Sequence, residues 1–225
     1  MSSKNDLKHK ALESRQFRMS RQLPPTVQKR AEGVMPLIMG YAAVYYQEGD
    51  PGTEYQLWPD MVERIRPGAF DRAVREDDVR GLFNHDECEV LGRTSSGTMR
   101  LSVDAKGLKY EIDPPDTETG NDVVKLLERG DVTGSSFTFI PTKTTWEEIV
   151  DSSGRSTHIR WIEEVQLFDV GPVTFPAYVG TEALSQGRSD GAIDIRSELE
   201  AWKNQRQAQA DQDYANALLL TTVDD

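Results

Sequence analysis

The sequence predicts a mainly β domain with short helices, an antiparallel barrel or sandwich carrying helical insertions, and three observations lead there. Runs rich in β-branched and aromatic residues recur through the middle of the chain, separated by Gly, Pro and Ser turn signals. Only two short stretches in that middle show helical spacing of apolar residues. These two do not alternate regularly with the strands, as a parallel α/β sheet would require.

The first strand is expected in "VMPLIMGYAAVYY" (Val34 to Tyr46), followed by the loop "EGDPGTEY". "PGAFDRAVRE" places Ala69, Phe70, Ala73 and Val74 at helical spacing and reads as a short helix from Pro67 to Glu76. In "DDVRGLFNHD" the residues Val79, Leu82 and Phe83 suit a strand, and "EVLGRTSSGTMRLSVDAKGLKYEID" reads as strands punctuated by "SSG" and "AKG". "TGNDVVKLLERG" is a helix with readable ends: Thr119 or Asn121 can cap its start, Val123, Val124 and Leu127 share a face, and Gly130 suits the C′ position. A strand then runs from Thr133 to Ile140, a ragged segment from Thr142 to Ser156, and a long strand through "THIRWIEEVQLFDVGPVTFPAY". No internal repeat is present.

Both ends differ in texture from this middle. Residues 1–30 form a basic, polar stretch without a helical stripe and are expected to be a flexible arm. Residues 31–187 are expected to be the folded domain. Residues 188–225 read as a polar tail with a helix outside the core, its start marked by the capping box Ser197 and Glu200.

Charge and composition narrow the function. The net charge is −12; the first thirty residues hold eight Lys or Arg, leaving 18 basic and 36 acidic residues in the remainder, so no nucleic-acid partner is expected. No signal-peptide core and no run of about 18 apolar residues is present, so a soluble, cytosolic protein without a membrane partner is expected. Cys88 is the only cysteine, which excludes an internal disulfide and a thiolate-rich metal site. Chemistry must therefore come from hydroxyls, carboxylates or imidazoles.

The histidines are His9, His85 and His158. His9 lies in the basic arm. His85 follows the strand "VRGLF" at a strand end, where scaffolds commonly hold catalytic groups, although a hydrogen-bonded loop histidine is the plainer reading. His85 and Cys88 could begin a zinc half-site, but the second half is missing, and no metal or other cofactor is expected. Cys88 is also too near His85 in the chain to be a good nucleophile partner.

In "GSSFTFI", strand alternation puts Ser135, Phe137 and Phe139 on one face and Ser136, Thr138 and Ile140 on the other. The phenylalanines mark the core side, so Ser136 is the serine that a substrate could reach. Two readings stay open: a nucleophile, or a strand-start hydroxyl bonded to backbone. A base for Ser136 would be His85, which in turn needs an acceptor to orient it. In "RWIEEVQLFDV", burying Val165 and Leu167 leaves Glu164 on the opposite face as that acceptor, while Glu163 falls inward unless the strand is bulged.

These residues carry a resemblance. "GYAAVYY", "IRPGAFDRAV", "VRGLFNHDECEVLGRT", "SGTMRLSVDAKGLKYEIDPPDT", "LLERGDVTGSSFTF" and "VQLFDVGPVTFPAY", in that order from Val34 to Tyr178, resemble the prohead proteases of tailed bacteriophages, which are related in fold to the herpesvirus assemblins. The resemblance implies an antiparallel β-barrel of the assemblin type. Its histidine falls on His85 and its serine on Ser136, with Thr138 where many members have glycine and Gly171 where a serine is usual after "LFDV". Its third member points to Glu164, with Glu163 and Asp169 as lesser candidates; the assemblins use a second histidine, for which His158 is available. Backbone N–H groups or an arginine such as Arg93 could supply an oxyanion hole.

The family implies a serine endopeptidase inside the assembling procapsid in the host cytoplasm. Such an enzyme removes the scaffolding region of the major capsid protein, or a separate scaffold, and cleaves itself. A homo-oligomer is compatible with it, and the C-terminal helix is available for docking to scaffold or capsid protein. Two other readings stand beside this one. One is a non-catalytic capsid or scaffold component, and the other a metal-dependent hydrolase using His85, His158 and carboxylates.

Overall fold

The structure is a computed structural model, which describes residues 16–20, 23–175 and 195–221. His9 and the composition boundary near residue 188 lie outside the described residues. In chain order the strands are β1 (Gln16–Ser20), β2 (Thr26–Gln28), β3 (Leu37–Val44), β4 (Glu54–Trp58), β5 (Met61–Ile65), β6 (Arg80–Leu82), β7 (Val90–Arg93), β8 (Met99–Val103), β9 (Gly107–Ile112), β10 (Gly134–Val150) and β11 (Ser156–Val173). The helices are α1 (Asp71–Glu76), α2 (Glu118–Arg129) and α3 (Ile195–Thr221). The fold is mainly β with a few helices. None of the described helices is long and apolar enough to cross a membrane.

Among the described residues the strands make two sheets and no closed barrel, which corrects the barrel expectation. The larger sheet runs β1-β10-β11-β5-β4, with β6 on β11 and β7 on β6; the smaller runs β2-β3-β9-β8. The larger sheet is also mixed, not antiparallel throughout. β5 and β6 lie end to end along one edge of the 18-residue β11, each parallel to it, because α1 carries the chain forward between them. Side chains fill the gap in the ladder that this leaves: Asp77 accepts from the Leu167 backbone N–H at 2.7 Å and Arg72 donates to the Val165 carbonyl at 2.6 Å. Buried backbone groups need such partners when no strand supplies them.

The core fills the space between the sheets. Phe137 and Phe139 from β10 stack at 4.8 Å, with Phe70 edge-on to Phe137 at 5.6 Å, and Ile38, Leu91, Leu108 and Ile112 close around them. Ser135 points into this core as expected and shares a hydrogen bond of 2.8 Å with the buried Tyr110 hydroxyl. Gly40 permits that contact, because a Cβ there would sit 2.5 Å from the Tyr110 oxygen.

Local expectations fare differently. Gly130 takes the left-handed conformation at the end of α2 (φ 80°), as its position after the last apolar turn predicts. The N-cap is Thr117, however, and not Thr119 or Asn121: its hydroxyl accepts from the Gly120 N–H, because the chain folds back onto the Pro115 carbonyl where only glycine fits. The ragged segment after Thr142 is the outer half of β10. Pro141 interrupts its ladder with β11 at register shifts on either side of Lys143, and pairing then resumes to Val150. Ser197 is not the cap of α3, which already begins at Ile195.

The chain ends return to the sheet. Within the stretch expected to be an arm, β1 pairs with β10 and β2 with β3. At the other end, Ile195 and Leu199 bury against Met61, Leu57, Trp58 and Trp146, while α3 from Asn204 to Tyr214 is exposed.

Candidate active site

His85 sits in the loop that leaves β6. Asn84 and His85 both adopt positive φ, 55° and 59°, a conformation that costs non-glycine residues energy and needs support from around it. The support is specific. The Asn84 side-chain oxygen accepts from the Thr174 N–H at 2.8 Å and from its hydroxyl at 3.1 Å, and the Asn84 N–H donates to the Pro172 carbonyl at 3.1 Å. Phe83, Asp86 and Glu89 close the loop on itself through backbone bonds. The "NHD" turn is thus tied to the end of β11, and this turns the imidazole towards β10.

Side chains from β10 and β11 meet that imidazole. His85 Nε2 lies 2.7 Å from Ser136 Oγ, and Nδ1 lies 2.5 Å from Asp169 Oδ1. A carboxylate can only accept, so the Nδ1 proton faces Asp169 and the Nε2 lone pair faces the serine. Thr138 Oγ1, 3.1 Å from Nδ1, is the other neighbour of that nitrogen. Ser136 and Thr138 share one face of β10, and in the ladder to β11 Ser136 stands opposite Gly171 and Thr138 opposite Asp169. Gly171 is required here: a Cβ would lie 1.9 Å from the Leu82 carbonyl oxygen of β6, so a serine has no room.

Glu164 is not at this site. Five residues before Asp169, roughly 17 Å along a strand, it accepts from Thr142 Oγ1 at 2.8 Å and faces Arg72 Nε at 3.4 Å, with its side chain 42% exposed. Glu163 bonds Lys143 at 2.7 Å and Thr145 at 2.9 Å; the Lys143 ammonium, first among its partners, holds its carboxyl below the usual range. His158 is near the other end of β11, edge-on to Trp202 at 6.5 Å. Arg93 is engaged with Asp78 on the surface at 2.9 Å, and Cys88 is exposed. Among the described residues no three His, Cys, Asp or Glu side chains gather as metal ligands.

Asp169 takes the place expected for Glu164 because of a bulge. The ladder pairs Thr138 with Asp169 but Phe139 with Leu167, so Phe168 is the extra residue on β11. Uninterrupted alternation would put Asp169 inward with Val165 and Leu167. Past the bulge the faces exchange: Val170 enters the core and Asp169 turns to His85. Nothing in "QLFDVG" announces that extra residue. Sequence reasoning also missed Asn84 as the clamp of the histidine, although an asparagine before a functional loop residue is a known candidate for left-handed backbone.

A second buried cluster lies nearby. Glu63 on β5 is fully buried between Arg18 of β1, at 2.5 and 3.1 Å, and Arg160 of β11, at 2.8 Å; Arg160 continues to Glu198 of α3 at 2.7 Å. Gln16 accepts from both arginines. Burial works to raise the Glu63 carboxyl, but the two guanidiniums outweigh it and hold the pKa below its ordinary value.

A hydroxyl, an imidazole and a carboxylate in hydrogen-bonded series are the constellation of acyl transfer by serine. A search of curated protein sequences returns no match. Among solved structures, the bacteriophage T4 capsid assembly protease, gp21, is similar over 72% of this chain and 99% of its own, with 11% identity and a TM-score of 0.44. The profile of the caudovirus prohead serine protease family matches residues 24–191, a span that includes His85, Ser136 and Asp169, and the chain belongs to that family of serine proteases.

Proposed function

We propose that this protease cleaves the scaffolding region of the phage major capsid protein, or a separate scaffold, and also itself, inside the maturing procapsid, with Ser136 as nucleophile, His85 as general base and Asp169 as the acceptor that orients it. The observation that carries the assignment is the position of His85 between Ser136 Oγ at 2.7 Å and Asp169 Oδ1 at 2.5 Å. Ser136 Oγ attacks the scissile carbonyl carbon while Nε2 takes its proton; the imidazolium returns that proton to the leaving amine as the tetrahedral intermediate collapses to the acyl-enzyme. Water, deprotonated by the same nitrogen, then releases the acyl segment and restores the serine. Asp169 keeps the Nδ1 proton in place and stabilises the imidazolium.

A second histidine as third member, the assemblin arrangement, would require His158, whose place beside Trp202 argues against it. Family membership supports the capsid substrate. The exposed part of α3 is the segment we assign to docking on scaffold or capsid protein. The test is co-expression with the capsid protein. Ser136→Ala should abolish processing of that protein, and any shortening of the protease itself seen by intact mass should disappear with it. Continued processing by Ser136→Ala would refute the mechanism.

A further inference from the structure

We infer that β1 is an intramolecular plug: Gln16–Ser20 occupies the edge of β10 on which an extended peptide substrate would pair, and it holds the nucleophile in an unreactive state until displaced. The inference rests on the proposed role of Ser136 and concerns how that residue is regulated.

Four observations carry it. First, β1 is the edge strand of the larger sheet and covers β10 in antiparallel register across the site itself, with Met19 opposite Ser136 and Arg18 opposite Phe137. An open edge beside a nucleophile is where an extended peptide gains main-chain hydrogen bonds by strand addition. Second, Ser136 is 0% exposed although it lies on the face expected to meet substrate, flanked in the sheet by β1 and β11. Third, the serine hydroxyl donates to the Arg18 carbonyl oxygen at 3.0 Å while His85 Nε2 stands 2.7 Å away. A hydroxyl has one proton. When that proton is on the Arg18 carbonyl it is not directed at the base, so this main-chain group lies against the nucleophile and diverts the proton that attack must give up.

Fourth, β1 is latched from below by a side chain of its own. Arg18 reaches the buried Glu63, whose other partner Arg160 holds Glu198 of α3. The plug and the C-terminal helix therefore share one buried arginine. A five-residue edge strand anchored through Arg18 to Glu63 is the kind of element that opens without global unfolding. A capsid-protein segment concentrated in the procapsid has the chemistry to compete for its place, since main-chain pairing with β10 is available to any extended peptide.

The test uses the full-length protein and its Arg18→Ala variant, in which Glu63 keeps Arg160 as partner. Hydrogen exchange is read at the amides of Gln16–Ser20 and of β10, alongside the rate at which a fluorophosphonate probe labels Ser136. The amides of 16–20 that face β10 should be protected in the native chain and exchange freely in the variant. Labelling should be roughly tenfold faster in the variant, the ratio expected when a minor open state becomes the major one. A synthetic peptide carrying Gln16–Ser20 should slow it again. Unprotected 16–20 amides in the native chain would overturn the plug regardless of activity, and so would equal labelling rates in two folded forms. Release of residues 1–18, seen by intact mass, would also overturn it, because the Arg18 carbonyl would then be a substrate. Labelling of neither form would remove the serine mechanism on which the inference rests, and the exchange data would tell that failure from the plug's own.

Discussion

At the scale of single residues the site depends on one strained pair. Asn84 and His85 hold left-handed backbone because the Asn84 amide is fastened to Thr174. Asn84→Gly tests this cleanly, since glycine accepts the dihedral without strain but loses both bonds to Thr174. The variant should keep its fold and lose roughly tenfold or more in kcat, the scale expected when a catalytic group is displaced by a fraction of an ångström to an ångström; full activity would show that the turn needs no clamp. Ser136 and His85 were legible at this scale. Histidine is scarce, the two phenylalanines name the core face, and alternation then separates Ser136 from Ser135. Ser135 turns out to serve Tyr110 in the core, which is the role its face implied.

At the scale of elements, legibility followed local chemistry and failed where pairing decides. Gly130 ends α2 as its sequence foretells, and the turns between β7, β8 and β9 fall at "SSG" and "AKG". The bulge at Phe168, the continuation of β10 past Pro141 and the seating of β1 are set by partners far along the chain, and periodicity read one strand at a time carries no trace of them. The bulge turns Asp169 to the side of His85, while Glu164 lies five residues back along the strand.

α3 divides in the same way. Its first turns bury Ile195 and Leu199, and Arg206 still reaches Glu148 at 2.8 Å, whereas Gln207 to Tyr214 are exposed. Removing residues 207–225 should leave the melting temperature within about 1 °C, since Gln207 to Tyr214 are exposed and exposed residues contribute little to stability, while lowering incorporation into procapsids. Unchanged incorporation would count against docking through this segment.

At the scale of the whole molecule, one buried charge cluster joins both ends of the chain to the sheet: Arg18 from β1, Glu63 from β5, Arg160 from β11 and Glu198 from α3. Its pH dependence has a definite sign. The Glu63 carboxyl is held below its ordinary value of 4.5, so the stability it contributes is present above that pH and is lost as pH falls through the lowered folded value. Melting temperature should therefore drop on acidification below about 4.5, and Glu63→Gln, already weaker at neutral pH, should show a shallower drop. An unchanged acid profile in that variant would show that other carboxylates dominate. Such a cluster was beyond reach from sequence because its four members lie on four elements with no spacing rule among them.

In the proposed mechanism Asp169 and not Glu164 orients His85 for attack by Ser136. The direct measurement is the rate of capsid-protein cleavage by Asp169→Asn and Glu164→Gln beside the native enzyme. Asp169→Asn should lose on the order of 10⁴ in kcat, the penalty of presenting the wrong imidazole tautomer, while Glu164→Gln should stay within about twofold of native, as surface substitutions do. Equal losses in the two variants, or a greater loss at Glu164, would contradict it.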